Sequence, residues 1–279
     1  MRIHVLVLSL LISPFFLKAQ DFELGITAGA ALYEGELAPL EIGDYFQTFR
    51  PAVGLFGRYH FSRSIAARSD LRYATIYGND EIAGRNRGFN FRTQLVELSL
   101  SGEWTLFRLR LGPGLYAAPY AQVGAGLLYF NPQGERDNTY YDLAPLGTEG
   151  QGLPGNPGVY SQFTYVMFGG GGAKLEINDR WTIGIEGALR YTGTDYLDDV
   201  STNPVTYREV LDGNGSLAAH FSRPNFDLDS DDPDATYIRG GQAQDYLFMA
   251  VITVSTKLGT GGGLRGGGRR GQLGCPTNF

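Results

Sequence analysis

The sequence offers few groups for chemistry. It has three histidines and one cysteine, so a zinc site built from several thiolates and imidazoles is excluded. His60 stands beside Ser62 and Ser64, and a His–Ser pair with a carboxylate is what acyl transfer or deacylation needs. A strand histidine packed into a polar interior accounts for the same spacing. His220 lies in a long polar stretch, where a solvated loop histidine is the ordinary reading. No credible triad follows from either. A second candidate is the acidic run from Phe226 to Asp234. Asp227, Asp229 and Asp231 place oxygen ligands at alternate positions, as loops that wrap calcium do. The glycine and distal glutamate of an EF-hand are missing, and an acidic solvated loop has the same composition. Asp198 and Asp199 are further carboxylates available to such a site. No other cofactor is expected. The third candidate is the carboxy-terminal segment. It is glycine-rich from Gly259 to Gly274, carries Arg265, Arg269 and Arg270, and holds the lone Cys275. Such a linker gives reach. A lone cysteine in an oxidising compartment points to an intermolecular disulfide or a free thiol. The arginines suit an acidic partner surface or lipid headgroups, or serve only to solubilise the tail.

Composition limits what can position these groups. Of 279 residues, 40 are glycine, 17 tyrosine and 17 phenylalanine, and 19% are charged. Glycine is at about twice its usual share. So many aromatics exclude a chiefly disordered chain. No apolar run reaches the roughly 18 residues of a membrane-spanning helix. The net charge of −6 argues against a nucleic-acid partner. At the amino terminus, Arg2 and His4 precede an apolar block from Val5 to Leu17, followed by Lys18, Ala19, Gln20 and Asp21. This is the layout of a secretory signal peptide, 1–20, cleaved after Ala19 or Gln20.

From 21 to 258 the pattern has period two. Phe22, Leu24, Ile26, Ala28, Ala30 and Leu32 share one face; Glu23, Gly25, Thr27, Gly29 and Tyr33 share the other. Val53, Leu55, Tyr59 and Phe61 oppose Phe56, Arg58 and His60. Ile65, Leu71, Tyr73 and Tyr77 oppose Arg68, Asp70 and Arg72. Val96, Leu98, Leu100, Trp104 and Leu106 oppose Glu97, Ser99, Ser101 and Glu103. Further strands are expected over 120–130, 163–177 and 246–257. In the seventh, Trp181, Ile183, Ile185, Leu189 and Tyr191 oppose Thr182, Glu186, Arg190 and Thr192.

In a soluble sandwich the apolar faces point inward; in a membrane barrel they point to lipid. Three features favour the barrel. The signal peptide exports the chain. Each segment is long enough to cross when tilted. The connections alternate in length: short at Arg63–Ser64, Gly112–Gly114 and Asn178–Arg180, long near Ala38, near Glu81, from Asn131 and from Asp195. Tyr59, Phe61, Tyr73, Tyr77, Trp104, Trp181 and Tyr191 fall near strand ends, as interfacial girdles do. The expected fold is an all-β, eight-stranded antiparallel transmembrane barrel with short periplasmic turns, long extracellular loops and both termini in the periplasm. Eight strands leave room only for side chains. Arg58, Arg68, Arg72, Lys174 and Arg190 should pair there with Asp70, Glu97, Glu103 and Glu186, giving a plugged barrel rather than a pore.

Several strings resemble a known family. They are Leu32-Tyr33-Glu34-Gly35-Glu36-Leu37, Arg87-Gly88-Phe89-Asn90-Phe91, Pro145-Leu146-Gly147-Thr148-Glu149-Gly150-Gln151-Gly152 and Thr194-Asp195-Tyr196-Leu197-Asp198-Asp199-Val200-Ser201. Arg239-Gly240, Asp245-Tyr246 and Cys275-Pro276 complete the set. Together they look like the PorG-like outer-membrane barrels of Bacteroidota, over nearly all of the mature chain. The resemblance implies a non-catalytic component of the type IX secretion system, which exports proteins and supports gliding motility in some members. It also implies contact with periplasmic PorK/PorN-like ring proteins. A monomeric barrel in outer-membrane lipid would anchor that ring through a 259–279 tail, with Cys275, Arg265, Arg269 and Arg270 meeting the partner. This tail is richer in glycine than the family pattern. Two alternatives stand beside this reading: a surface-exposed binding or adhesion barrel acting through its long outer loops, and a lipid-modifying enzyme using His60 or His220.

Overall fold

The computed structural model describes residues 22–41, 43–178, 180–241 and 244–258. The expected signal peptide, 1–20, and the tail, 259–279, with Cys275, Arg265, Arg269 and Arg270, lie outside the described residues. The elements are β1 (Phe22–Glu34), α1 (Tyr45–Thr48), β2 (Arg50–His60), β3 (Ile65–Asn79), β4 (Asn90–Thr105), β5 (Leu109–Gly112), β6 (Leu115–Arg136), β7 (Thr139–Asp142), β8 (Phe163–Ile177), β9 (Trp181–Thr192), β10 (Pro204–Thr206), α2 (Tyr207–Asn214), α3 (Ser216–Ser222), β11 (Thr236–Ile238) and β12 (Tyr246–Lys257).

Eight of these strands make a closed barrel. β1 pairs with β2 and β12, and the circuit continues through β3, β4, β6, β8 and β9, every pair antiparallel. Closure leaves no open edge among these staves, so each backbone ladder is satisfied on both sides. The short turns gather at one end. There the N–H groups of Phe61 and Ser62 donate to the Ile65 carbonyl, and that of Asn178 donates to the Gly114 carbonyl. Asn178 (φ 52°) and Gly114 (φ 71°) take the left-handed conformation that such tight reversals need. Leu258 N–H donates to the Phe22 carbonyl, so both ends of the described barrel leave at this short-turn end.

The two faces divide as the alternation dictates, and closure fixes which is inside. Leu24, Ile26, Val53, Leu55, Leu71, Leu98, Leu100, Leu127, Ile183, Ile185 and Ile252 are exposed on the outer wall, whereas Arg58, Arg68, Asp70, Glu97, Glu103, Glu186 and Arg190 are buried. Soluble folds have the opposite polarity. An exposed apolar wall this extensive fits hydrocarbon, not water. Aromatics sit at both rims. Tyr59 and Phe61 meet edge to face at 5.1 Å near the short turns. Tyr191 meets Tyr246 at 5.6 Å, and Tyr129 meets Phe163 at 5.1 Å, toward the long loops.

The interior is layered, which the expected lumen list did not include. Its charged layer lies toward the short turns. Toward the long loops the inward positions become apolar: Tyr33, Ala52, Ile76, Phe91, Leu95, Leu128, Phe130, Val166, Leu247 and Met249 form one buried cluster with Leu37, Leu197 and Val200 of the loops. The loops are thus seated on a hydrophobic plug.

Three expectations need correction. The fifth stave runs over Leu115–Arg136 rather than 120–130. The fourth and fifth staves do not join at a bare Gly112–Gly114 turn, because β5 first pairs back on β6, with Leu109 opposite Ala117. The last long connection is folded. β10 and β11 pair antiparallel across the intervening helices, and α2 is capped by Thr206, whose hydroxyl accepts the Glu209 N–H at 3.1 Å. Thr206-x-x-Glu209 has the spacing of a capping box.

Candidate functional site: the ion-paired lumen and the loop cap

Five bases face five acids inside the barrel, for Glu23 joins the nine residues expected there. Arg68 is the hub. Its guanidinium donates to Asp70 at 2.7 Å and Glu186 at 2.5 Å, and reaches Glu103 at 3.5 Å. Arg72 donates to Asp70 at 3.0 Å and Glu186 at 2.9 Å. Arg58 pairs with Glu23 at 3.0 Å and Glu103 at 2.9 Å, Arg190 with Glu97 at 2.9 Å, and Lys174 with Glu103. Rings fill the remaining space: Arg68 lies 4.0 Å over Phe56, and Tyr120 donates its hydroxyl to Glu186 at 2.8 Å. Charges buried this deeply persist only when paired, and here the signs balance. The arrangement leaves a cross-linked plug in place of a water path.

His60 belongs to this network. Its Nε2 is 2.9 Å from Glu23, and its side chain is 28% exposed. The Ser62 hydroxyl instead accepts the N–H groups of Ser64 and Ile65, at 3.2 and 3.0 Å, as a turn does. His220 packs edge to face on Phe221 in α3. Burial and the charge of Arg136 depress its pKa. The structure does not bring either histidine into a Ser–His–carboxylate relay.

Asp227, Asp229 and Asp231 sit together in an exposed turn, but the carboxylates of Asp227 and Asp231 are engaged locally. Asp231 accepts from Asp227 N–H at 3.0 Å and from Arg223 at 3.1 Å. Asp227 accepts from Asp229 N–H and from the Ser230 hydroxyl, both at 3.1 Å. Asp198 and Asp199 are not neighbours in this turn's hydrogen bonding; they are buried in the cap.

That cap is what sequence reasoning missed. The separate strings quoted above, apart from Cys275-Pro276, which lies outside the described residues, converge into one buried assembly over the long-loop end. Arg239 donates to Thr148 at 2.7 Å, to Asp199 at 3.2 Å and to the Phe221 carbonyl at 3.1 Å. Thr148 also donates to Asp199 at 2.5 Å, and Tyr160 donates to Asp199 at 2.6 Å. Glu149 accepts from Ser201 N–H at 2.6 Å and from its hydroxyl at 2.5 Å. Arg87 clamps Asp80 at 2.6 Å and donates to the Arg239 carbonyl at 2.7 Å. The cap is bolted to the barrel by Thr93, whose hydroxyl donates to the Leu197 carbonyl at 2.5 Å, and by Tyr33, which lies 2.7 Å from Asp198 and from Asp245. Burial raises the pKa of both Asp199 and Glu149, and Arg239 opposes that rise. Burial, then the charges of Glu36 and Glu149, push Asp195 up to about 7. The signal available in the sequence was the acid content of these loops: Asp195, Asp198, Asp199 and Glu149 occur among aromatic and apolar residues, unlike a solvated acidic loop.

No curated protein matches the chain in sequence. Among solved structures it is similar to Neisserial surface protein A, at 8% identity over 85% of this chain and 97% of that one, with a TM-score of 0.40. It is similar to Ail, the attachment invasion locus protein of Yersinia pestis, at 7% identity over 84% and 96%, with a TM-score of 0.34. The outer membrane enzyme PagL matches at 11% identity over 84% and 97%, with a TM-score of 0.32. A family model covers residues 1–221, most of the chain, and its description is a domain of unknown function. The chain therefore belongs to the DUF6089 family.

Proposed function

We propose that this chain is a non-catalytic, non-conducting barrel of the outer membrane that anchors a periplasmic ring of the type IX secretion system. One observation carries the membrane reading: the wall is apolar outside and ion-paired inside, so lipid is the environment that satisfies it. Exit of both described barrel ends beside the short turns supports a 259–279 tail on the periplasmic side. The absorption of His60 by Glu23 and of Ser62 by its turn supports a role without chemistry. The secretion role and the PorK/PorN-like partners rest on the resemblance of the cap strings and tail to PorG-like barrels. Cys275 would form or approach a covalent link, while Arg265, Arg269 and Arg270 meet an acidic surface.

The second reading, a surface-binding barrel, is favoured by the cap itself, since folded outer loops present a fixed surface. Pull-down from outer membranes separates the two. Wild type, Cys275→Ser and a chain lacking 259–279 would be run on reducing and non-reducing gels. The anchor reading expects a ring protein with wild type that is lost on deletion of the tail. A reducible adduct lost in Cys275→Ser identifies the link. Ring protein absent from every lane would contradict the anchor reading and leave the surface-binding one.

A further inference from the structure

We infer that the seam between the cap and the barrel rim holds one hard divalent cation, calcium, on Glu36, Asp195 and Asp245. The fold brings these residues together by register. Glu34 of β1 lies opposite Tyr246 of β12, which lies opposite Tyr191 of β9, so the three adjacent staves end in one row. Glu36 follows that row on β1, Asp245 precedes it on β12, which lies between the other two, and Asp195 leaves from β9. One carboxylate oxygen from each falls within 4.8 Å of the other two.

Three further observations point to a ligand. Glu36 is only 6% exposed, and its Oε2 is buried with no hydrogen-bond partner; Oδ1 of Asp195 is likewise buried and unpartnered. The remaining contacts hold the cluster in place without using those atoms: Glu36 Oε1 accepts from Gly241 N–H at 2.8 Å, and Asp245 accepts from Leu197 N–H at 2.9 Å and from Tyr33. Among the described residues, no Lys or Arg forms an ion pair with Glu36, Asp195, Asp198 or Asp245, whereas the lumen below is balanced charge for charge. Buried like charges this close need a cation or protons. An all-carboxylate donor set with no imidazole or thiolate selects a hard metal. Donors from three separate chain segments suit the larger and more adaptable calcium shell better than the strict octahedron of magnesium. Bound there, the ion would tie the first loop, the last loop and the β12 stave together. The exposed Asp227–Asp231 turn is a different place, where the carboxylates of Asp227 and Asp231 already serve as local hydrogen-bond acceptors.

The test uses the full chain refolded in detergent micelles, stripped with EDTA and titrated with calcium chloride by calorimetry at constant ionic strength. One calcium per chain is expected, with affinity lowered at least about tenfold in Asp195→Asn and in Glu36→Gln, and unchanged in Asp229→Asn. Heat-modifiable gel migration reports whether each variant keeps its barrel. Should the variants misfold, wild type alone decides: calcium should raise its unfolding temperature, and sodium chloride of equal ionic strength should not. Absence of saturable binding up to millimolar calcium would overturn the inference. So would binding that survives Asp195→Asn and is lost in Asp229→Asn.

Discussion

Asp198 and Asp245 share one hydroxyl: the phenol oxygen of Tyr33 lies 2.7 Å from a carboxylate oxygen of each. A phenol has a single proton, so one of the two contacts is completed by a carboxyl proton. Asp198 accepts Val200 N–H at 2.9 Å through its other oxygen, Oδ1, and burial and the charge of Asp245 push its pKa far up. Burial raises the pKa of Asp245 as well, so the phenol proton and one carboxyl proton hold the two acids and Tyr33 together. Tyr33 projects from β1 and the two acids come from the last long connection, so this contact joins barrel to cap. Tyr33→Phe should leave both acids short of a partner, at a cost of about 1–3 kcal/mol. Urea unfolding of the refolded chain would show this as a lower midpoint with an unchanged slope.

Glu186 bridges Arg68 and Arg72 at 2.5 and 2.9 Å in the lumen. Its removal strands two buried guanidinium groups. Glu186→Ala should destabilise the barrel by about 3–5 kcal/mol, and Glu186→Gln by less, since the amide oxygen still accepts. Equilibrium unfolding in lipid vesicles measures both.

The same network should block ions. Wild type reconstituted in a planar bilayer should give no steady conductance, because Arg68 links β3 to Glu103 of β4 and to Glu186 of β9 across the interior. A persistent open channel would show that the pairs do not fill the cross-section.

On the outer wall, Ile185 lies in mid-stave, opposite Ile252 and Ala173, with its side chain exposed. Ile185→Arg should cost about 2–4 kcal/mol on insertion and lower the yield of folded barrel. Ile185→Leu should be neutral. Folding into vesicles, followed by gel migration without boiling, distinguishes them.

In the cap, Arg239→Met would leave Asp199 and Glu149 buried without their base. The cap should loosen while the staves remain closed. Limited proteolysis should then cut within 193–245 much faster than in wild type, with the barrel fragment still heat-modifiable.

The staves were legible because an inward–outward alternation survives in any strand with two different environments. The stave 163–177 matches its expected bounds, and so does the one from Trp181 to Thr192. Pro119 and Pro132 flank the expected 120–130 span, and proline cannot donate to a ladder; the structure keeps both within β6. Which face lies inside was not legible from period two alone, since a sandwich and a barrel write the same alternation. The cap was least legible. Thr148, Asp199 and Arg239 meet only because two connections fold over one rim, and no local period records that. The spacing Thr206-x-x-Glu209, at the start of α2, is a local cue to structure in the last connection that the strand pattern does not carry.

The central claim, an apolar wall facing lipid around a plugged interior, has an intrinsic probe. The chain has two tryptophans, Trp104 and Trp181. Both point outward near the short-turn rim, 60% and 47% exposed. Fluorescence of the reconstituted wild type should be quenched strongly by lipids brominated near the headgroup, less by lipids brominated near the bilayer centre, and little by aqueous iodide. Quenching by iodide with none from brominated lipid would place these side chains in water and contradict the account.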